Sequence, residues 1–238
     1  MRTVGNNLRR EGVKRGKKYE DALAKVETGK LYPLEEAVKL LKDISFVRFD
    51  ESIEVAINLN VLQKHTVRDT VVLPHGTGKK VRILVFAKAD KAKEAQDAGA
   101  DFVGDEDLIA KIKGGWFDFD VTVATPDMMK VVGKIGQLLG KRGLMPNPKT
   151  GTVTNDIKKV VGELQKGKTE FRADKTKIVH LGIGKCSMDE NAIVENCKAL
   201  YDGILSKRPA DLKGEYVTSV YLSTAMGPGI KIAHKEIA

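Results

Sequence analysis

Aromatic residues are scarce in this chain: Phe, Trp and Tyr make up 5% of its 238 residues, with a single Trp. No stretch carries the Phe/Tyr spacing of a base-stacking sheet, so stacking of single strands is not expected as the main mode of any nucleic-acid contact. Cysteine is just as sparse. Cys186 and Cys197 form no Cys-x-x-Cys pair, and they read as buried or idle thiols of a reducing cytoplasm. The four His, at 65, 75, 180 and 234, lack metal-ligand spacing, so no metal is expected. No apolar run approaches the roughly 20 residues of a membrane span. None follows the N-terminal cations as a secretory signal requires. These absences leave a soluble cytoplasmic protein with no membrane partner and no cofactor.

What the chain has is positive charge. Forty-one Lys and Arg face 32 Asp and Glu, giving +9 at neutral pH. Such an excess favours an anionic partner and speaks to association rather than fold. It is uneven: residues 1–18 hold Arg2, Arg9, Arg10, Lys14, Arg15, Lys17 and Lys18 against Glu11 alone. That segment reads as a basic arm for nucleic acid or as a solvated tail.

The middle third alternates strand and helix. Val81–Ala87 is a nearly continuous apolar run, as in a strand covered on both faces. A helix from Asp90, a short strand at 101–103, a helix from Asp105, a strand at 120–124 and one helix over 127–139 follow. This rhythm predicts a parallel sheet with helices packed on it. The flanks read differently. A helix over 34–43 buries Val38, Leu40 and Leu41. Residues 52–59 alternate, with Ile53, Val55, Ile57 and Leu59 inward and Ser52, Glu54, Ala56 and Asn58 on a wet face. Later come strands near 170–172 and 178–180, a helix over 189–206 and a strand over 215–224. Neither flank can close a core alone. The expected fold is therefore α/β with two domains. One is discontinuous, built from both termini (1–76 and 168–238), and the other (77–167) is an inserted Rossmann-like three-layer α/β domain. The crossings near Gly76 and Gly167 make a natural hinge.

Several motifs bear on chemistry. Gly162 to Thr169 matches Gly-x4-Gly-Lys-Thr, but a phosphate loop needs strand, loop, then helix. Here helix precedes Gly167 and strand follows it, so phosphate would meet the wrong end of the dipole. Gly-x-Gly-x-x-Gly never follows the first middle strand, which leaves a nucleotide-dependent enzyme as a runner-up without its phosphate glycines. Gly182–Lys185 reads as a tight turn presenting a cation, and Asp118 with Asp120 as a solvated strand edge. No Ser or Cys has a placed His and carboxylate. The run 138–153 combines Gly140, Gly143, Gly151, Pro146 and Pro148 with Lys141, Arg142 and Lys149. It is either a rigid connector or an ordered basic loop that meets phosphate.

Several separated motifs together make the chain familiar. Phe49-Asp-Glu-Ser-Ile-Glu54, Leu73-Pro-His-Gly76, Gly143-Leu-Met-Pro-Asn-Pro-Lys149, Gly151-Thr-Val153, Phe171-Arg-Ala-Asp-Lys175 and Thr224-Ala-Met-Gly-Pro228 occur in order. Through them the chain resembles the bacterial large-subunit ribosomal protein L-one family over nearly its whole length. The resemblance implies a non-enzymatic component of the large ribosomal subunit whose first domain binds the stalk of the large rRNA. It further implies help in releasing deacylated exit-site tRNA, and repression through binding of the protein's own operon mRNA. The implied RNA-binding residues are Phe49, Ser52, Glu54, Arg172, Asp174, Lys175, Ser219, Thr224, Met226 and Gly227. Lys141, Arg142 and Lys149 would offer a secondary contact to rRNA or tRNA. Phe49 could equally be a core residue, and Met226-Gly227 a plain turn. The chain departs from the family pattern at Ala225, which lacks an expected hydroxyl, at Asp69 and a shortened 61–68 connection, and at Lys141. In that connection Lys64 or Arg68 could still offer a cation.

Overall fold

The computed structural model describes residues 15–237 apart from Thr28, Gln63, Lys64 and Thr66. Residues 1–14 of the expected basic arm, and Lys64, lie outside the described residues. Arg15 stacks over Tyr19 at 4.4 Å, and Lys17 and Lys18 open the first helix, α1 (Lys17–Ala24).

Both ends of the chain contribute to one hydrophobic cluster, which draws on residues 22–73 and 171–237. Helix α2 (Leu34–Ile44) places Leu34, Ala37, Val38, Leu41 and Ile44 on one stripe, as i, i+3, i+4 spacing demands. Glu35 and Glu36 in its first turn and Lys42 in its last complement the helix dipole. Strand β1 (Ser52–Leu59) buries Ile53, Val55, Ile57 and Leu59 and leaves the intervening residues outward. Its neighbours are β7 (Ile178–Lys185) and β8 (Val217–Thr224), both antiparallel to it; β9 (Ile230–Ile232) completes the sheet beside β8. Helix α8 (Glu190–Leu205) packs with α2 over the apolar face.

Residues 83–164 form two further clusters, one on each face of a parallel sheet. Strand β3 (Ile83–Phe86) lies between β4 (Phe102–Gly104) and β5 (Val121–Ala124). All four residues of β3 are buried: Ile83 and Val85 meet α3 (Ala89–Asp97) and α7 (Ile157–Gln165), whereas Leu84 and Phe86 meet α4 (Glu106–Lys113) and the segment 126–141. The result is the expected three-layer α/β arrangement.

Two expectations need correction. The helix over 127–139 is not continuous: 3₁₀ turns at Pro126–Met128 and Gly133–Ile135 interrupt α5 (Met129–Val132) and α6 (Gly136–Lys141). Gly133 and Gly136 weaken the α-helical ladder, while Met128, Val132, Ile135 and Leu139 keep a helical spacing into the core. Nor is Gly182–Lys185 a turn. It belongs to β7, where Ile53 faces Gly184 and Glu54 faces Gly182 across a bulge. The glycines serve that bulge, which leaves the Ile183 carbonyl to accept from the Asn196 amide at 2.8 Å.

Sequence inspection also missed β2 (Arg68–Val72), which pairs with β6 (Lys168–Arg172) in a two-stranded ribbon. Both crossings run off the end of that ribbon. A Cβ on Gly167, whose φ is +100°, would lie 2.5 Å from the Gly76 Cα, so the two crossing segments approach backbone to backbone there. Buried Asn196 tethers the same point. Its Nδ2 donates to the Gly76 carbonyl at 2.8 Å, and its Oδ1 accepts from the His75 amide at 3.0 Å.

Candidate nucleic-acid interface

The sheet of β7, β1, β8 and β9 has helices on one face only, and register fixes what the other face carries. Opposite residues of adjacent strands share a face. Glu54 therefore stands beside Gly182 and Ser223, Ala56 beside His180 and Tyr221, and Asn58 beside Ile178 and Ser219. Lys231 follows Tyr221 on β9. The face is polar without being strongly charged: beside Ala56, Ile178 and Gly182 it carries hydroxyls, an amide, a carboxylate and two rings, with Lys231 on β9 and Lys185 opposite Ser52.

Three loops meet at the end of this sheet where β1 begins. Phe49 is 57% exposed and Met226 is 54% exposed, so Phe49 is not a core residue. Between them Glu51 is 1% exposed. Its carboxylate accepts from the Met226 amide at 2.9 Å and from the Ser45 hydroxyl at 2.6 Å. A buried carboxylate is stable only when its oxygens are satisfied, so this one holds two loops in register. Asp50 does the same for a third loop, accepting from the Ser187 amide at 3.1 Å and its hydroxyl at 2.8 Å. Lys185 bridges the Asp50 carbonyl, at 3.1 Å, and the Ser52 hydroxyl, at 3.0 Å.

Thr224 differs from the expectation that it sits on the open face. It pairs with inward Ile53 and is buried, so its hydroxyl cannot reach that face. Instead Oγ1 accepts from the Gly227 amide at 3.1 Å and tightens the turn that presents Met226. A side chain on Gly227 would collide with that hydroxyl. Any larger residue there would have to displace the Thr224 hydroxyl that braces the turn.

Arg172, Asp174 and Lys175 gather at the opposite end of β1, where the Leu59 amide donates to the Lys177 carbonyl at 2.9 Å. All three are exposed. Asp174 organises its own turn: its carboxylate accepts from the Thr176 hydroxyl, at 2.6 and 2.7 Å, and from the Ile178 amide, at 2.9 Å. Those bonds, the Thr176 hydroxyl first, hold its carboxyl below the ordinary range. The expected residues therefore form two clusters, with Ser52, Glu54 and Ser219 on the face between them. At ~3.3 Å per residue, the six steps from Ser52 to Asn58 span about 20 Å.

The basic loop lies on the other unit. Asn147 orders it, taking the Lys149 amide on its side chain at 2.9 Å while its own amide donates to the Thr152 hydroxyl at 2.8 Å. Val153 then bridges to Ala124 at the sheet edge. Lys141, Arg142 and Lys149 are exposed on it, with the Arg142 guanidinium 3.9 Å from the centre of the Phe117 ring. Asp120, expected on a solvated edge, instead accepts from Lys79 at 2.6 Å and from Arg82 at 3.2 Å.

Sequence reasoning missed Glu51, His180, Tyr221 and Lys231. Alternation along β8 marks Tyr221 as outward, but nothing in sequence tells buried Glu51 from its exposed neighbours. Among the described residues no group of His, Cys, Asp or Glu could hold a metal ion, and no helix is long and apolar enough to cross a membrane.

Comparison with known proteins gives a consistent result. Residues 41–228 match the model of the Ribosomal protein L1p/L10e family. The large ribosomal subunit protein uL1 of Borrelia hermsii (strain HS1 / DAH) is 58% identical over 220 residues, covering 92% of this chain and 98% of that protein. The protein of the same name from Borreliella burgdorferi (strain ATCC 35210 / DSM 4680 / CIP 102532 / B31) is 56% identical over 219 residues, covering 92% and 97%.

Proposed function

The chain belongs to the Ribosomal protein L1p/L10e family, and on that premise we propose that it is a structural constituent of the large ribosomal subunit whose discontinuous domain grips the large rRNA. Proteins of this family are structural, and the chain is not an enzyme. Its place is the ribosome of the cytoplasm. The domain limits are 1–76 with 168–238 for the gripping unit and 77–167 for the inserted one, supported by how the hydrophobic clusters divide.

One observation carries the reading: an uncovered sheet face of hydroxyl, amide and carboxylate groups, with exposed Phe49 and Met226 at one end and Arg172 and Lys175 at the other. Folded RNA is met through its shape, phosphates and 2′-hydroxyls, and such groups supply the donors and acceptors for that. Ser52, Glu54 and Ser219 contact sugars and base edges, Arg172 and Lys175 meet phosphate, and Asp174 shapes their turn. Gly227 allows close backbone approach. Thr224 acts by holding the turn rather than by touching RNA.

The finer roles rest on the same face. A structured leader in the protein's own operon mRNA that imitates the rRNA stalk would compete for it, which makes the protein a translational repressor. Lys141, Arg142 and Lys149 on the inserted unit contact exit-site tRNA and so help deacylated tRNA leave.

Substituting Met226→Asp puts a carboxylate into the presented turn. Affinity for a transcript of the stalk rRNA is expected to fall at least ~10-fold, about 1.4 kcal/mol, in filter binding at fixed salt. Unchanged affinity would remove this turn from the interface. The leader mRNA should compete with the stalk transcript for one site, and simultaneous binding of both would rule out repression by this face.

A further inference from the structure

The row across the middle of the open face is not explained by the contacts above. His180, Ala56, Tyr221 and Lys231 follow one another across β7, β1, β8 and β9. Their neighbours along each strand, among them Val55, Ile57, Val179, Val220, Leu222, Ile230 and Ile232, are buried on the helix side, so these four point away from it. Tyr221 is 38% exposed. Ala56, the smallest side chain on the outward face of β1, separates the two rings.

Strands flanking a central one lie about 10 Å apart. Three stacked planar groups need about 7 Å between the outer two. A single base therefore fits over Ala56 between the positions of His180 and Tyr221. Gly229 puts no side chain beside the Tyr221 ring, whose Cδ1 lies 4.0 Å from where a Cβ on Gly229 would stand. The adjoining rows offer Glu54 and Ser223 on one side and Asn58 and Ser219 on the other. Those groups can donate to or accept from a base edge. Lys231 closes the row with a cation suited to a phosphate.

We propose that this row is the seat of one unpaired base of the bound RNA, stacked on the Tyr221 ring above Ala56, its edge met by side chains of the flanking rows. The seat rests on the rRNA reading above and deepens it, because paired bases in a helix present no free ring face. The RNA must offer a bulged or looped nucleotide at this point. A scarcity of aromatics excludes a platform for many bases but leaves room for one.

Filter binding of a stalk rRNA transcript tests the seat with three full-length proteins: wild type, Tyr221→Ala and Tyr221→Phe. Loss of one base–aromatic stack should weaken Tyr221→Ala about 5- to 100-fold. The slope of affinity against salt should not change, because no phosphate contact is lost. Tyr221→Phe keeps the ring and should recover most of that loss. In transcripts carrying 2-aminopurine at single unpaired positions, one position should be quenched by wild type and by Tyr221→Phe but not by Tyr221→Ala. Equal affinity of Tyr221→Ala and wild type overturns the seat, as does equal weakening by Phe and Ala. If wild type binds the transcript and Met226→Asp weakens it while Tyr221→Ala does not, the seat fails and the rRNA reading stands. If wild type does not bind the transcript, the rRNA reading itself fails.

Discussion

The two α/β units cover their sheets differently, and the difference decides how each can meet RNA. The inserted unit has a parallel sheet, and the crossovers that make strands parallel put helices on both faces. Every residue of β3 is buried, so this unit can offer a partner only its loops and the outer sides of its helices, not a sheet face. The discontinuous unit has an antiparallel sheet with α2 and α8 on one face. Its second face remains free and carries a side chain every other residue along three long strands. A face of that kind can match an RNA surface at many points; a basic loop such as 138–153 supplies a few cations at a tip.

The largest expected effect comes from forcing the units apart where they join. Gly167→Ala puts a Cβ 2.5 Å from the Gly76 Cα at a φ of +100°, which should cost about 3 kcal/mol or more and lower the melting temperature in calorimetry. An unchanged melting curve would mean that the β2–β6 ribbon does not depend on that contact.

Next in size is the support of the open face. Glu51→Ala leaves the Met226 amide without its acceptor. Affinity for the stalk transcript should fall roughly 10-fold, about 1.4 kcal/mol, and the Met226 amide should exchange faster with solvent. Glu51→Gln, which still offers an acceptor, should recover part of both. Faster exchange with full affinity would separate the order of the turn from recognition.

A smaller effect should follow from the loop. Replacing Lys141, Arg142 and Lys149 together by Ala should change affinity for the stalk transcript by less than about 2-fold. Affinity for deacylated tRNA should drop, and its dependence on salt should flatten, as expected when phosphate contacts are removed. A large loss on the stalk transcript would reverse the division of labour between the units.

The smallest effect concerns pH, and here the two units should behave alike. Burial opposes ionisation of Asp69 and Asp120, but Lys207 and the Thr70 amide at the first, and Lys79 and Arg82 at the second, hold both carboxyls below the ordinary 3.8. A lowered carboxyl contributes stability that is complete above its unfolded value and lost as pH falls through the folded one. Melting temperature should therefore hold through this range down to about pH 4 and decline below it, in both units. Separate acid transitions would show that one unit relies on these pairs more than the other.

The sequence carried much of this. Alternation in 52–59 assigns the inward and outward sets of β1 without ambiguity, because the pleat repeats every two residues. The continuous apolar run at 81–87 announces a strand covered on both faces. Local signals were weaker where backbone geometry decides: two closely spaced glycines broke the helix expected over 127–139, and Gly182 and Gly184 served a bulge that no spacing rule distinguishes from a turn.

Periodicity and the cationic excess are properties of neighbours along the chain, so the sequence alone determined the strand faces, the alternating middle, the insertion between two flanks and the anionic character of the partner. Which residues stand side by side is a property of register and burial, set by pairing between segments far apart. Only the tertiary structure turned Thr224 inward to brace its turn, buried Glu51 beneath Met226, and brought His180, Tyr221 and Lys231 into line with Ala56. Residues separated by more than a hundred positions meet there because closing the apolar face of one sheet leaves each strand a single alignment that keeps its core side chains dry.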